Sequence, residues 1–295
     1  MAIAANGEPL AYRHATCHYS AQTDYGTAVA ATTAIGACEA TSIRQSSNLS
    51  VRGPGSPNRL AVKGQETYSE VSIRFPAVQT GSKTLLTKAF RSSGTVPINT
   101  ISLGYEDDVT PTSTKSADQI QDCKIARARF SLDASGGNGP LSVDLDVVGG
   151  LVTTVTNIAR STLSTTPMNT YEAVLTRGGS AFEVRAWDME IAHRLSRDHI
   201  IPGTAPATFV RGHKYLTEHE ETITGNMTLY KRSGVSVQAN TVSTAASVLT
   251  LTNLVDSVVF TITFATMDFD SEQMAISNDG IFFSVPFQAH TVTFA

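Results

Sequence analysis

Residues 126–132 read Ala-Arg-Ala-Arg-Phe-Ser-Leu. Apolar and polar side chains alternate there with a period of two. Ala126, Ala128, Phe130 and Leu132 therefore fall on one face of an extended chain, and Arg127, Arg129 and Ser131 on the other. That is the pattern of a half-buried antiparallel strand. Phe260, Ile262 and Phe264 alternate in the same way against Thr261 and Thr263. The chain is rich in Thr, Val and Ile, which suit a pleated surface, and only 16% of it is charged. A mainly β protein is expected, and 295 residues allow either two domains or one large β architecture.

Outward from these strands the chain repeats itself. Residues 54–64 read PGSPNRLAVKG and residues 202–212 read PGTAPATFVRG, sharing Pro, Gly, Val and Gly, with Ser/Thr and Lys/Arg as conservative matches. The two segments lie 148 positions apart in a chain of 295, and the same offset pairs Ile43 with Ile191. Each leads into an alternating run: Val71, Ile73 and Phe75 in one half, Ile223, Met227 and Leu229 in the other. Each half then closes on a hairpin signal, Asn138-Gly139 before LSVDL and Asp279-Gly280 before FSVPF. A self-similarity at half the chain length predicts two tandem, duplicated β domains, residues 1–150 and 151–295.

One short flanking helix is expected in the first half, capped by Ser82, with Leu85, Leu86, Ala89 and Phe90 at helical spacing and Gly94 ending it. Between Phe182 and Leu195 the apolar set shifts phase, which predicts either a β-bulge near Ala186 or two short strands. Residues 235–254 fit a turn of helix or another strand.

Lys and Arg number 22 against 26 Asp and Glu, for a net charge of −4. No segment concentrates the basic residues, so the electrostatic term behind non-specific nucleic-acid affinity is missing. Cys17, Cys38 and Cys123 form neither a disulfide framework nor a CxxC pair, which suits a reducing compartment. The first twenty residues lack a charged and apolar secretory leader, and no run approaches 18 apolar residues. The expectation is a protein made in a cytosol without a membrane span, so the sequons at Asn48 and Asn226 imply no glycan.

Reactive constellations are sparse. His14, Cys17 and His18 are potential zinc ligands, but a tetrahedral site needs a fourth group, and on a strand Cys17 points away from the two imidazoles. His193/His199 and His213/His219 have neither HExxH spacing nor adjacent same-face positions, and they read as loop or strand-face residues. Glu218 and Glu220, flanking His219 with Glu221 beside them, read as a solvated strand face rather than an acid/base group. The Gly-Pro-Gly at 53–55 lacks the donors of a phosphate loop. No catalytic residue, cofactor site or metal site is assigned.

Three stretches together resemble the tail tube (major tail) proteins of long-tailed phages. Residues 19–30, YSAQTDYGTAVA, are similar to the family's opening "YGT" segment. Asp122-Cys123-Lys124-Ile125, leading through a Gly-rich turn to LSVDLDVVGG at 141–150, resembles its "GCKV" hairpin, with Asp122 in place of the usual glycine. Residues 183–191, the second Pro/Gly loop and TITGNMTLY at 222–230 resemble its later stretch. The resemblance implies that each half is a β-sandwich with long loops, giving two tandem β-sandwich domains with a short flanking helix, in rings stacked into a hollow tube. By the same resemblance double-stranded DNA would pass through the lumen without specific binding, and the implied partners are further copies of the chain, a tape measure protein, and tail tip and terminator proteins. It also implies inter-ring contacts by a long loop, here Arg52, Pro54, Pro57 and Arg59, with Pro202, Pro206 and Arg211 in the duplicate. The location would be the virion tail. A duplicated chain would build a pseudo-sixfold ring from three copies, and sparse charge suits a subunit contacted on many sides.

The alternatives are another virion component, such as a capsid or decoration protein, and a two-domain carbohydrate-binding or adhesin module. The second needs exposed aromatics, whereas Trp187 sits in a strand pattern. A β-sandwich hydrolase would need a carboxylate pair that the sequence does not single out.

Overall fold

The computed structural model describes residues 15–27, 29–35, 39–47, 50–52, 60–62, 67–75, 80–89, 97–105, 116–134, 141–150, 152–156, 173–177, 180–182, 184–198, 215–230, 242–243, 247–252, 259–269, 273–277 and 280–295. The first half forms β1 (Ala15–Gln22), β2 (Thr33–Ala34), β3 (Glu39–Ser47), β4 (Ser50–Arg52), β5 (Leu60–Val62), β6 (Thr67–Phe75), β7 (Ile98–Tyr105), β8 (Ser116–Asp133) and β9 (Ser142–Gly149). The second forms β10 (Val152–Thr156), β11 (Ala173–Arg177), β12 (Ser180–Phe182), β13 (Val184–Asp198), β14 (Tyr215–Tyr230), β15 (Val242–Ser243), β16 (Ser247–Thr252), β17 (Val259–Phe269), β18 (Gln273–Ser277) and β19 (Gly280–Phe294). Among the described residues there is one short helix, α1 (Thr80–Leu86), which runs into a 3-10 turn, Thr87–Ala89. The protein is mainly β, as its alternation and composition predict.

The strand order of the first half is β3-β6-β9-β8-β7-β1-β2, every contact antiparallel. The second half runs β13-β14-β19-β17-β16-β11-β12, also antiparallel throughout. Taken in chain order the two halves share one connection pattern. Ile43 faces Val71 in the first half, and Ile191 faces Ile223 in the second.

The halves also share one hydrogen-bonded system. β9 holds one edge of β8 from Lys124 to Ser131, so β13 pairs along the opposite edge, Ala192 facing Arg127 and Ala186 facing Asp133. β10 continues the register of β9 on β8, with Val148 opposite Lys124 and Val152 opposite Ile120. Among the described residues, most of the buried apolar side chains, from Cys17 to Val292, form one cluster that draws on both halves.

Side-chain alternation sorts these strands as expected. Ile73, Phe130, Leu145, Ile191 and Phe264 are fully enclosed, while the opposite face carries cross-strand ion pairs. Arg74 Nε donates to Asp144 at 2.7 Å, Arg127 Nε to Asp146 at 2.7 Å, and Arg129 Nε to Glu190 at 3.0 Å. Ala126 departs from the pattern and is only half-buried, because the β8/β9 register shifts between Ile125 and Arg127 and turns it out of phase. The irregularity expected near Ala186 is present as a register shift between Val184 and Ala186 in the β13/β14 ladder. Within residues 235–254 the described segments are strands, β15 and β16.

The helix begins at Thr80, so Ser82 lies inside it and is buried instead of capping it. Leu85, Leu86 and Ala89 join the core, whereas Phe90 and Gly94 fall outside the described residues. The second-half hairpin has Ser277 facing Gly280.

Gly225 on β14 is needed for close approach. A Cβ there would stand 2.3 Å from the Asp188 carbonyl oxygen and 2.3 Å from the Phe287 ring. The carbonyl belongs to a paired strand and cannot swing away as a side-chain end can. Gly225→Ala is expected to lower unfolding free energy by about 2–3 kcal/mol, read from urea midpoints at constant slope. A change below about 0.5 kcal/mol would show that the ladder widens at little cost.

Candidate functional site at the junction of the two halves

The "YGT" turn and the Asp122-Cys123-Lys124 segment, nearly a hundred residues apart, meet in the fold. Asp122 has φ +57°, the left-handed region that side chains other than Asn and Asp seldom occupy. The same backbone requirement explains why a glycine would suit this position. Asp122 adds an acceptor that glycine lacks. Its Oδ1 takes the Gly26 N–H at 2.8 Å and Gln22 Nε2 at 2.5 Å, and its own N–H donates to Gln22 Oε1 at 3.0 Å. Thr100 Oγ1 also donates to Gln22 Oε1, at 3.0 Å, and Gln22 Nε2 reaches the Asp24 carbonyl at 2.7 Å. Gln22, Thr100 and Asp122 are all buried, so this network satisfies groups that would otherwise be costly to enclose.

Lys124 extends the junction into the second half. Its Nζ donates to the Leu216 carbonyl at 2.9 Å and to Glu218 Oε1 at 2.5 Å, and both charged side chains are only 7% exposed. The Lys124 ammonium also lies 5.7 Å from the Tyr25 ring centroid. Tyr25 stands edge-on to Tyr215 at 5.3 Å, accepts the Leu216 N–H at 3.2 Å, and has its hydroxyl 3.2 Å from the Leu216 carbonyl. The loop end of the β13/β14 hairpin, where Asp198 faces Tyr215, is thus held to the β1 turn and to β8.

Glu218 is therefore not on a solvated face, as alternation alone predicts. The β13/β14 register shifts between His193 and Leu195, so that Leu195 faces Glu218 and the side chain turns inward. His193 is likewise buried rather than on a loop or open strand face. Its Nε2 lies 2.7 Å from the Ala89 carbonyl, and its Nδ1 lies 3.4 Å from Glu221 Oε2. His219 contacts Ser196 Oγ at 2.8 Å.

Cys17 and His18 are both buried, and His14, Cys38, His199 and His213 lie outside the described residues. Among the described residues no group of three or more His, Cys, Asp or Glu side chains is placed to hold a metal ion. Burial pushes the Cys123 thiol well above its ordinary pKa; a backbone hydrogen bond from Ile101 opposes this and Asp122 adds to it. That side chain is a neutral packing group. Asp188 on the outer face is raised by partial desolvation, with Arg129 working against it. Trp187 is enclosed in the core, its ring 6.3 Å from Phe264. A cavity of about 50 Å³ beside Leu132, Leu175, Trp187 and Leu249 has room for a water or two and none for an organic ligand.

Of the expected loop contacts, Arg52 ends β4 opposite Leu60 of β5. Pro54, Pro57, Arg59, Pro202, Pro206 and Arg211 lie outside the described residues. The second Pro/Gly segment leaves and rejoins the described chain where Asp198 faces Tyr215, at the end of the hairpin that Tyr25 and Lys124 hold. Nothing local marks Gln22 or Glu218 as members of the junction. Lys124 carries one sequence signal, a charge set among Cys123, Ile125 and Ala128 in a strand otherwise turned to the core.

The fold and this junction define a class: an antiparallel β protein of two halves wired alike, joined strand edge to strand edge over a buried ion pair and a shared carboxylate. Among the described residues, no helix is long and apolar enough to cross a membrane. No protein family and no curated protein matches the sequence. Among solved structures, one described as the cryo-EM structure of the anti-feeding prophage cap, the AFP tube terminating cap, is similar to part of the chain. The similarity has a TM-score of 0.34 and 16% identity, over 46% of this chain and 95% of that one.

Proposed function

We propose that the chain is a structural, non-catalytic subunit of a viral tail tube. In this reading it comprises two tandem β-sandwich domains, residues 1–150 and 151–295, and three copies close a pseudo-sixfold ring that stacks around a lumen. The observation that carries the reading is the repeated strand order, with one half already joined to the other along a strand edge. A subunit holding two such units needs half as many copies to close the same ring.

The outer face of β6, β9, β8 and β13 supports the part of the reading that concerns DNA. Arg74, Arg127 and Arg129 each have a carboxylate partner there. Such exposed pairs add little stability, but they leave the guanidinium groups neutralised. A surface of that kind lets a phosphate backbone slide past without gripping it. Self-contacts, tape measure, tip and terminator proteins, and residence in the virion tail complete the proposal.

Electron microscopy of the purified chain across a concentration series tests it. Rings or hollow tubes with three chains per turn are the expected result. A monodisperse monomer at every concentration would count against spontaneous assembly and favour a binding module instead. Removing residues 53–60 is expected to leave a folded chain that forms rings but no stacked tubes. Unchanged tube formation by that variant would defeat the inter-ring role of Pro54, Pro57 and Arg59.

A further inference from the structure

Where the turn after α1 packs on β13, two acceptor atoms face each other. His193 Nε2 lies 2.7 Å from the Ala89 carbonyl oxygen, a contact between residues 104 positions apart that ties the first half to the second. A carbonyl oxygen only accepts, so the ring hydrogen is on Nε2. A neutral imidazole has one such hydrogen, and its other nitrogen is then a lone pair. That nitrogen, Nδ1, lies 3.4 Å from Glu221 Oε2, which is also an acceptor while the carboxyl is ionised. The His193 side chain is fully enclosed, and although the Glu221 side chain is 20% exposed, its Oε2 is buried. Neither Nδ1 nor Oε2 has a hydrogen-bond partner among the described residues.

Two enclosed lone pairs at this separation repel, and each atom has given up water for nothing. One added proton changes both facts at once. Placed on the imidazole it makes an N–H donor to the carboxylate; placed on the carboxyl it makes an O–H donor to the imidazole. Either way a single hydrogen bond joins the same two atoms, so the pair binds the proton as a unit.

The charged groups nearby have other engagements or lie outside the seam. On β14, Glu221 faces His193, while His219 contacts Ser196 and is exposed, as is Glu220. On β8, Arg127 faces the neighbouring Ala192 and its guanidinium is held by Asp146 on the outer face. Further along β8, Lys124 is matched by Glu218. β13 itself carries Arg194, which is exposed, and the 3-10 turn carries Lys88 next to Ala89.

We infer that His193 and Glu221 form a one-proton latch between the halves. With the proton bound, the ring is fixed at both ends, Nε2 on the Ala89 carbonyl and Nδ1 on Glu221, and the turn after α1 is tied through β13 to β14. Without it, the Ala89 contact is kept against repulsion from Glu221. In the unfolded chain both side chains are in water, and the imidazole releases its second proton across its ordinary range. The folded chain therefore holds a proton that the unfolded chain has lost, and the stability contributed by the latch falls as pH rises through neutrality. This device acts within one chain, whether or not copies assemble.

The test is urea unfolding of the full-length chain, of His193→Gln and of Glu221→Gln, each at about pH 6 and about pH 8. His193→Gln keeps a donor for the Ala89 carbonyl and takes up no proton; Glu221→Gln offers Nδ1 an N–H at every pH. The unfolding constant of His193→Gln relative to wild type is expected to be at least about threefold larger at the lower pH than at the higher. Stabilisation on acidification relative to His193→Gln is expected to vanish in Glu221→Gln. A ratio that stays constant, or grows toward higher pH, would overturn the inference. A second measurement needs no variant: the ring nitrogens of His193 in the wild-type chain, followed by 15N NMR. The Nε2–H tautomer is expected at the alkaline end, with the Nδ1 resonance leaving its free lone-pair position as pH falls. An Nδ1–H tautomer, or an Nδ1 that stays a free lone pair down to about pH 6, would refute the latch even if neither variant folds.

Discussion

Lys124→Met is expected to destabilise the fold by about 3–5 kcal/mol, because it removes one member of a buried ion pair and leaves the other enclosed without its counter-charge. Glu218 would keep its 7% exposure and lose Nζ at 2.5 Å, while the Leu216 carbonyl would lose its donor at 2.9 Å. Attraction between the two charges is not itself the reason, since a buried pair roughly repays its own desolvation and often no more. The double variant Lys124→Met/Glu218→Met is therefore expected to recover most of the loss. Urea unfolding of the wild-type chain and the three variants measures this cycle. A loss below about 1 kcal/mol for Lys124→Met would mean that water reaches Glu218 and the pair behaves as a surface bridge. A double variant no better than the single would place the cost in packing around Tyr25 instead.

Asp122→Ala is expected to lose about 3 kcal/mol from two sources, the larger being the hydrogen bonds that Asp122 Oδ1 accepts from the Gly26 N–H and from the buried Gln22 amide, whose Nε2 would keep only the Asp24 carbonyl. The smaller is the left-handed backbone at φ +57°, which alanine tolerates poorly. Substitutions separate the two. Asp122→Gly removes the backbone strain but not the loss of these hydrogen bonds, so it should fall between Ala and wild type. Asp122→Asn retains both an acceptor oxygen and the tolerance for this conformation, and its loss should be about 1 kcal/mol, the difference between a charged and a neutral acceptor. Denaturant midpoints in the order Asp, Asn, Gly, Ala check the argument. Equal losses for Gly and Ala would assign the whole effect to hydrogen bonding.

Most strand faces are legible in the amino-acid sequence, because the signal is local. Phe130, Ile262 and Leu145 are buried where period-two alternation places them. The echo between residues 54–64 and 202–212 points to a duplication whose counterpart in the fold is a repeated order of strand pairing. The candidate junction is only partly legible. Its motifs, Tyr25-Gly26-Thr27 and Asp122-Cys123-Lys124, are readable one at a time, while the Gly26–Asp122 contact joins residues 96 positions apart. Alternation puts Glu218 on the wrong face because one irregularity, between His193 and Leu195, reverses every face beyond it. The same effect turns Ala126 out of the core, and Ser82 resembles a cap although the helix starts two residues ahead of it.

By itself the sequence determined the β class and the apolar face of the main strands away from their irregularities, since each of these is a regularity along the chain. Only the tertiary structure decided that β13 joins β8 and that Lys124 meets Glu218. Those outcomes depend on ladder register and on bulges. A single inserted residue changes which side chains face inward and which backbone groups find partners, and no local pattern of hydrophobicity encodes that choice.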